Sequence, residues 1–131
     1  MSSMIDTPMT QVLSQFLDVD VARYKLITMN MANLDTPGYK TRDLDFHSEL
    51  RRAAMSSAEN SEGETFPAGF SPVARPVPGL IERPDGNNVS LERESLLLAE
   101  VQMKFNLGVQ LVKDQFHTIS LAINSGEGSS S

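Results

Sequence analysis

Residues 91–123 read LERESLLLAEVQMKFNLGVQLVKDQFHTISLAI. Moving from Leu91 alternately by four and three residues visits Leu91, Ser95, Leu98, Gln102, Phe105, Val109, Val112, Phe116, Ile119 and Ile123. Eight of these ten positions are apolar, a heptad seam that predicts one long helix. At about 1.5 Å per residue the helix reaches roughly 50 Å, too long for a small globular body to enclose. Ser90 is suited to cap its start, and Glu92 and Glu94 suit the positive end of its dipole. With Glu100 they are expected on a solvated helix face.

The other end of the chain predicts a second helix, about Thr7 to Asn33. Thr7 is placed to cap it, and Pro8 falls at the first helical position, where a missing N–H costs nothing. Leu13, Leu17, Tyr24, Ile27, Met31 and Leu34 repeat the 4-3 spacing, with Asp20 as the polar interruption. Val12, Phe16, Val19 and Leu26 lie on an adjacent line, which widens the apolar stripe. The helix then meets Thr36-Pro37-Gly38-Tyr39. Pro and Gly at the two central positions predict a type II turn, with Gly38 at positive φ. The following stretch, Tyr39 to Phe46, reads as extended.

Between the helices the chain reads as loose. A short helix is expected over Ser48 to Ala58. Five of the seven prolines then fall between positions 67 and 84, which excludes regular helix there. Asp85-Gly86 is a turn signal. The organisation expected is an N-terminal helix in 1–35, a turn, extended segment and flexible loop in 36–89, a C-terminal helix in 90–124, and a disordered Gly/Ser-rich tail in 125–131. The fold class is mainly α, with the two terminal helices packed as an antiparallel coiled-coil-like pair around an irregular Pro/Gly-rich middle.

Composition narrows the function. The net charge is -6 with no run of Lys or Arg, so the footprint of a nucleic-acid binder is missing. The chain has no cysteine, which removes disulfides, thiol nucleophiles and zinc thiolate sites. Its apolar stretches fall short of a membrane span, and Met1 to Thr10 lacks the pattern of a secretory signal. The two histidines, His47 and His117, have no ligand spacing. Asp43 and Asp45 lack the further ligands of a calcium loop, and no glycine run is followed by a phosphate-loop Lys. No catalytic residue, metal, cofactor or small-molecule substrate is indicated. Two long apolar helices point instead to a protein that works by packing.

The segment Asn30-Met31-Ala32-Asn33-Leu34-Asp35-Thr36-Pro37-Gly38-Tyr39-Lys40 resembles the N-terminal signature of the axial proteins of the bacterial flagellum, the rod and hook family. In that family an N-terminal helix runs into an Asn-x-x-Asn-x-x-Thr-Pro-Gly-Tyr motif, and a long C-terminal helix closes the chain. The resemblance covers about Leu13 to Ile123. Thr41-Arg42-Asp43-Leu44-Asp45-Phe46 and Asp85-Gly86-Asn87-Asn88-Val89-Ser90-Leu91-Glu92-Arg93-Glu94 are similar to the proximal rod members. The neighbouring rod protein FlgC has a different segment before its last helix. Distal rod and hook proteins carry a large insert for which this chain is too short. Leu34-Asp35 departs from the small residues, commonly Ala-Asn, usual in the motif.

The resemblance implies a structural subunit of the proximal rod that supports motility. It implies export without a cleaved signal through the flagellar type III apparatus, then assembly in the periplasm. Implied partners are other copies of the chain, rod proteins of the FlgC and FlgF types, the adaptor FliE, the membrane ring and the export gate. Asn30, Asn33, Thr36, Pro37, Gly38 and Tyr39 form the expected assembly turn, and Tyr39 to Phe46 is expected to cross onto a neighbour. The alternative function is a soluble coiled-coil adaptor or chaperone that binds helical partners.

Overall fold

The computed structural model describes residues 8–59 and 71–129. In chain order it contains helix α1 (Pro8–Ala32), strand β1 (Arg42–Asp43), helix α2 (Phe46–Glu59), strand β2 (Arg75–Pro76) and helix α3 (Leu91–Ser129). α1 begins on Pro8, where the missing N–H is harmless; the Thr7 cap lies outside the described residues. α2 starts two residues before the Ser48 expected from the sequence, because Asp45 caps it. The Ser48 N–H donates to Asp45 Oδ1 at 3.2 Å and the Glu49 N–H to the Asp45 carbonyl at 2.9 Å. Ser90 caps α3 in the same manner, accepting the Arg93 N–H at 3.2 Å.

α1 and α3 pack against each other. Their direction follows from the partners along the contact. Asn30 meets Glu94, Arg23 approaches Glu100, Leu17 lies over Gly108, and Thr10 and Leu13 share a crevice with Val112 and Phe116. Residue numbers fall on one helix as they rise on the other, so the pair is antiparallel. α2 covers one flank of α1, with the Phe16 and Phe46 rings edge to face at 5.0 Å and Gln15 Nε2 donating to the Ala53 carbonyl at 3.4 Å. β1 and β2 form a two-stranded antiparallel ladder, Arg42 opposite Pro76 and Asp43 opposite Arg75.

The segment after the turn packs on its own chain. Thr41 and Leu44 are buried, and β1 lies against α1. Burying Leu44 and pairing Asp43 with helix cations holds the segment in place. α3 also runs past Asn124 to Ser129, where the sequence suggests a tail. No proline interrupts the stretch, and glycine weakens a helix by only about 1 kcal/mol without ending it. Residues 60–70 of the middle region lie outside the described residues, as do Ser130 and Ser131.

Among the described residues, the buried apolar side chains are Leu13, Val19, Ile27, Leu44, Ala53, Val89 and Val101. An equal number of polar side chains is buried: Gln15, Asp20, Asn30, Thr41, Glu49, Asn87 and Glu94. Apolar burial alone therefore does not define this core. Most of its polar members are tied by hydrogen bonds at the turn end of the helix pair, where the motif lies.

Candidate assembly site: the turn junction and the helix pair

α1 ends by tightening. The Asn33 N–H is shared between the Met29 and Asn30 carbonyls at 3.1 and 3.2 Å, and the Leu34 N–H reaches Met31 at 3.2 Å. Asn33 Nδ2 donates to the Met29 carbonyl at 2.8 Å, and Asn33 Oδ1 accepts the Thr36 hydroxyl at 3.0 Å. The chain then turns through Thr36-Pro37-Gly38-Tyr39. The Tyr39 N–H closes onto the Thr36 carbonyl at 3.2 Å, and Gly38 has φ 75°, as a type II turn requires.

Asn30 is the central polar group. Its Nδ2 donates to the Arg42 carbonyl at 2.8 Å and to Glu94 Oε1 at 3.2 Å. Its Oδ1 accepts the Tyr39 hydroxyl at 3.0 Å and the Arg42 N–H at 3.2 Å. One buried amide thus joins α1, the turn, β1 and α3, with both donors and its oxygen occupied. Asn87 performs the matching task from the other side. Its Nδ2 donates to the Asn33 and Thr36 carbonyls at 2.9 and 2.8 Å, and its Oδ1 accepts the Val89 N–H at 2.8 Å. Asn88 Oδ1 accepts the Thr41 N–H at 2.6 Å. Arg83 donates to the Leu34 carbonyl beyond the helix end.

A charge network stands beside this junction. Arg23 binds Asp43 with two bonds of 3.1 Å, and Arg93 reaches the same carboxylate at 3.1 Å and Glu94 at 2.9 Å. Burial works against the Arg23 charge, but Asp43 and then Glu100 hold its pKa above the ordinary value. Burial raises the Glu94 carboxyl, opposed by Asn30 and Arg93. Burial and the Glu94 charge raise the Tyr39 hydroxyl. Glu94 is therefore a buried junction residue rather than part of a solvated face, because its helix position points at Asn30. Glu49 is held below its usual range, chiefly by its bond to Arg52, and it also accepts the Val73 N–H.

The helix seam is rotated from the 4-3 series read in the sequence. Glu94, Val101 and Gly108 are the buried line of α3. Of the series, Leu98, Val109, Val112 and Ile119 are partly buried, while Leu91, Phe105, Phe116 and Ile123 are exposed. On α1, Leu13 and Ile27 are buried, Leu17 and Met31 partly so, and Tyr24 is exposed. Gly108 sits under Leu17 and Phe16: a Cβ there would lie 2.6 Å from Leu17 Cδ2 and 3.1 Å from Phe16 Cδ1. A glycine and a glutamate on the contact line lower its apolar count, so the neighbouring line reads as the stronger seam. Spacing gives no sign of the junction roles of Arg23, Asp43, Asn87 and Asn88 either, because these roles depend on partners from 20 to 54 residues away.

Asp20 faces the same contact and differs from the other buried polar groups. It is 0% exposed, and neither carboxylate oxygen has a hydrogen-bond partner. Burial raises its pKa to about 6 against the opposing charges of Lys104 and Arg23, with Glu100 adding to the rise. Asp20 lines a groove of about 530 Å³ between α1 and α3, walled by Val21, Tyr24, Val101 and Phe105. Among the described residues, no group of three His, Asp or Glu side chains is placed to hold a metal ion, and no helix is long and apolar enough to cross a membrane.

No family model matches the chain. Individual relatives do. It is 29% identical over 122 residues to the flagellar basal body rod protein FlgB of Salmonella typhimurium, covering 84% of this chain and 88% of the relative. The protein of the same name from Escherichia coli is 25% identical over 125 residues, covering 84% and 88%. That from Cereibacter sphaeroides is 35% identical over 121 residues, covering 86% of this chain and 91% of its own length. Similarity of this extent runs through both helices and the turn junction between them, and the chain belongs to the FlgB family of flagellar basal body rod proteins.

Proposed function

We propose that this chain is a structural subunit of the proximal rod, acting by self-assembly into the flagellar drive shaft and contributing to motility. It works by packing rather than by catalysis. The observation that carries this reading is the outer side of α3. Leu96, Met103, Leu107, Leu111 and Leu121 are all exposed there, away from the buried Glu94–Val101–Gly108 line. A single α-helix apolar on two sides has buried only one of them within its own chain. Further subunits supply the cover: other copies, rod proteins of the FlgC and FlgF types, and the adaptor FliE near the membrane ring and export gate. The route is the flagellar type III apparatus, without a cleaved signal, to the periplasmic rod.

The test separates folding from assembly. Met103→Glu with Leu111→Glu alters only exposed positions, so helical content by circular dichroism should match the wild type. Incorporation into isolated basal bodies and swarming should both be lost. Normal swarming of that variant would overturn the reading. A wild-type chain that forms a discrete, soluble complex with one helical partner and is absent from basal bodies would favour an adaptor.

A further inference from the structure

The α1–α3 contact is held unequally along its length. At the turn end, Asn30, Asn87 and the Arg23–Asp43–Arg93 charges tie it to the junction. Toward the other end the ties run out. Beyond Val101, the only buried residue of α3 among the described ones is Gly108, which brings no side chain of its own. Thr10 of α1 is level with Val112 and Phe116, and α1 starts at Pro8, so the last turns of α3 run on toward Ser129 past the start of α1. α1 does not share this weakness, because Phe46 and Ala53 of α2 hold its Phe16 and Gln15.

Asp20 stands at the boundary between the two parts. It lies on α1 between Arg23, which approaches Glu100, and Leu17, which covers Gly108. Both of its oxygens are buried without a hydrogen-bond donor. A carboxylate so placed is strongly disfavoured, and the neutral acid is tolerated far better. The charges that face it give no relief. Arg23 is bound to Asp43 of β1, Lys104 pairs with Glu100 at 3.3 Å and lies 4.1 Å over the Phe46 ring of α2, and Glu100 repels it. The groove walled by Val21, Tyr24 and Phe105 stops short of the two oxygens. Water or any other donor therefore reaches them only if a helix moves, and the helix held on one side alone is the far part of α3.

We propose that Asp20 is a release point for the distal half of α3, residues 104–123. With the carboxyl protonated, that half stays seated on α1. When the proton passes to solvent, the half lifts away, water reaches both oxygens, and the turn junction keeps hold of the near end. The event is a local opening confined to the part of the contact with the fewest buried groups. The lifted half bares its Gly108–Val112 line in addition to the outer side that is already open. The release stands on the geometry of one chain. That a neighbouring subunit takes up the bared line rests on the rod-subunit reading.

Hydrogen exchange read by mass spectrometry on the purified full-length chain tests this between about pH 5 and pH 8, with exchange times scaled for the intrinsic rates. A helix without its tertiary cover loses protection. Protection over 104–123 should fall about tenfold across that range as the Asp20 proton is released. Segments 26–33 and 91–98, on the junction side, should not follow it. Asp20→Asn should keep 104–123 protected throughout. The double variant His47→Gln, His117→Gln should respond as the wild type does, which separates Asp20 from the two histidines. Equal protection of wild-type 104–123 at both ends of the range, a response centred on 26–33 beside Glu94, or a response lost with the histidines would each overturn the proposal. The rod reading has its own arm: if protection does not depend on pH while the Met103/Leu111 variant is lost from basal bodies, the release falls and the rod subunit stands.

Discussion

Gly86 and Gly38 meet backbone to backbone. A Cβ built on Gly86 would lie 3.3 Å from Gly38 Cα, and both residues hold positive φ, 85° and 75°. The two turns, one ending α1 and the other preceding α3, are pressed together at this point. The Gly38 N–H donates to the Asp85 carbonyl at 2.9 Å across the same gap. The junction of the rod motif is thus a contact between two loops, locked by Asn87 from below.

Gly86→Ala should therefore be destabilising. It combines a left-handed backbone with a Cβ against main chain that has no side-chain end to swing away. The expected loss is about 1–3 kcal/mol. Gly38→Val, a branched residue at positive φ, should cost a similar amount even though its own Cβ meets nothing within 4 Å. Urea denaturation followed by circular dichroism measures both.

Asn30→Leu should be among the most damaging single changes in the chain. It leaves the Tyr39 hydroxyl, both Arg42 backbone groups and Glu94 without their shared partner. Each buried group left unsatisfied costs about 1–3 kcal/mol, partly relieved by relaxation. A loss exceeding that of Gly86→Ala in the same denaturation series is expected. Tyr39→Phe removes one bond of the set and should cost only about 1 kcal/mol.

Gly108 gives a different balance. Ala there gains about 1 kcal/mol of helix propensity but crowds Leu17, whose terminal methyl can move. Thermal melts should show Gly108→Ala close to the wild type. Gly108→Leu should melt lower by an amount matching about 2 kcal/mol or more, because it forces the helices apart.

Asp20 predicts a pH dependence with a defined sign. Its folded-state pKa is raised from 3.8 to about 6. The folded chain therefore binds the Asp20 proton more tightly than the unfolded chain does. The isolated chain is penalised above pH 6, and the penalty disappears as pH falls toward 4. Two units correspond to about 3 kcal/mol. Lys104, Arg23 and Glu100 are the charges that face Asp20, and Glu49 and Asp45 have depressed values of opposite slope. The stability difference between Asp20→Asn and the wild type isolates the term. It should favour the variant at pH 7 and shrink toward zero near pH 4. A difference independent of pH would show that Asp20 keeps its ordinary titration.

Local signals made much of the fold legible. Pro8, Ser90, the Pro37-Gly38 pair and the apolar periodicity act over one to four residues, so they mark the two long helices and the turn directly. The antiparallel pairing follows, because two long apolar stripes joined by a proline-rich loop have each other as the nearest cover. The face of α3 that meets α1 was less legible. Apolarity is a poor guide on a helix apolar on more than one side, and the actual contact line runs through Glu94 and Gly108, residues that such a count discards.

By itself, then, the sequence determined the helix pair, the type II turn at Gly38 and the absence of thiol chemistry, all properties of residue type and short-range spacing. Only the tertiary structure decided that β1 folds back on its own chain, that Asn30 and Asn87 bind the junction from two sides, and that Asp20 is buried without a partner. Those facts depend on which distant groups share one small volume. Hydrogen bonds between residues as far apart as Asn33 and Asn87 leave no periodic trace along the chain. Their directional geometry exists only once α1, the turn and the start of α3 have come together.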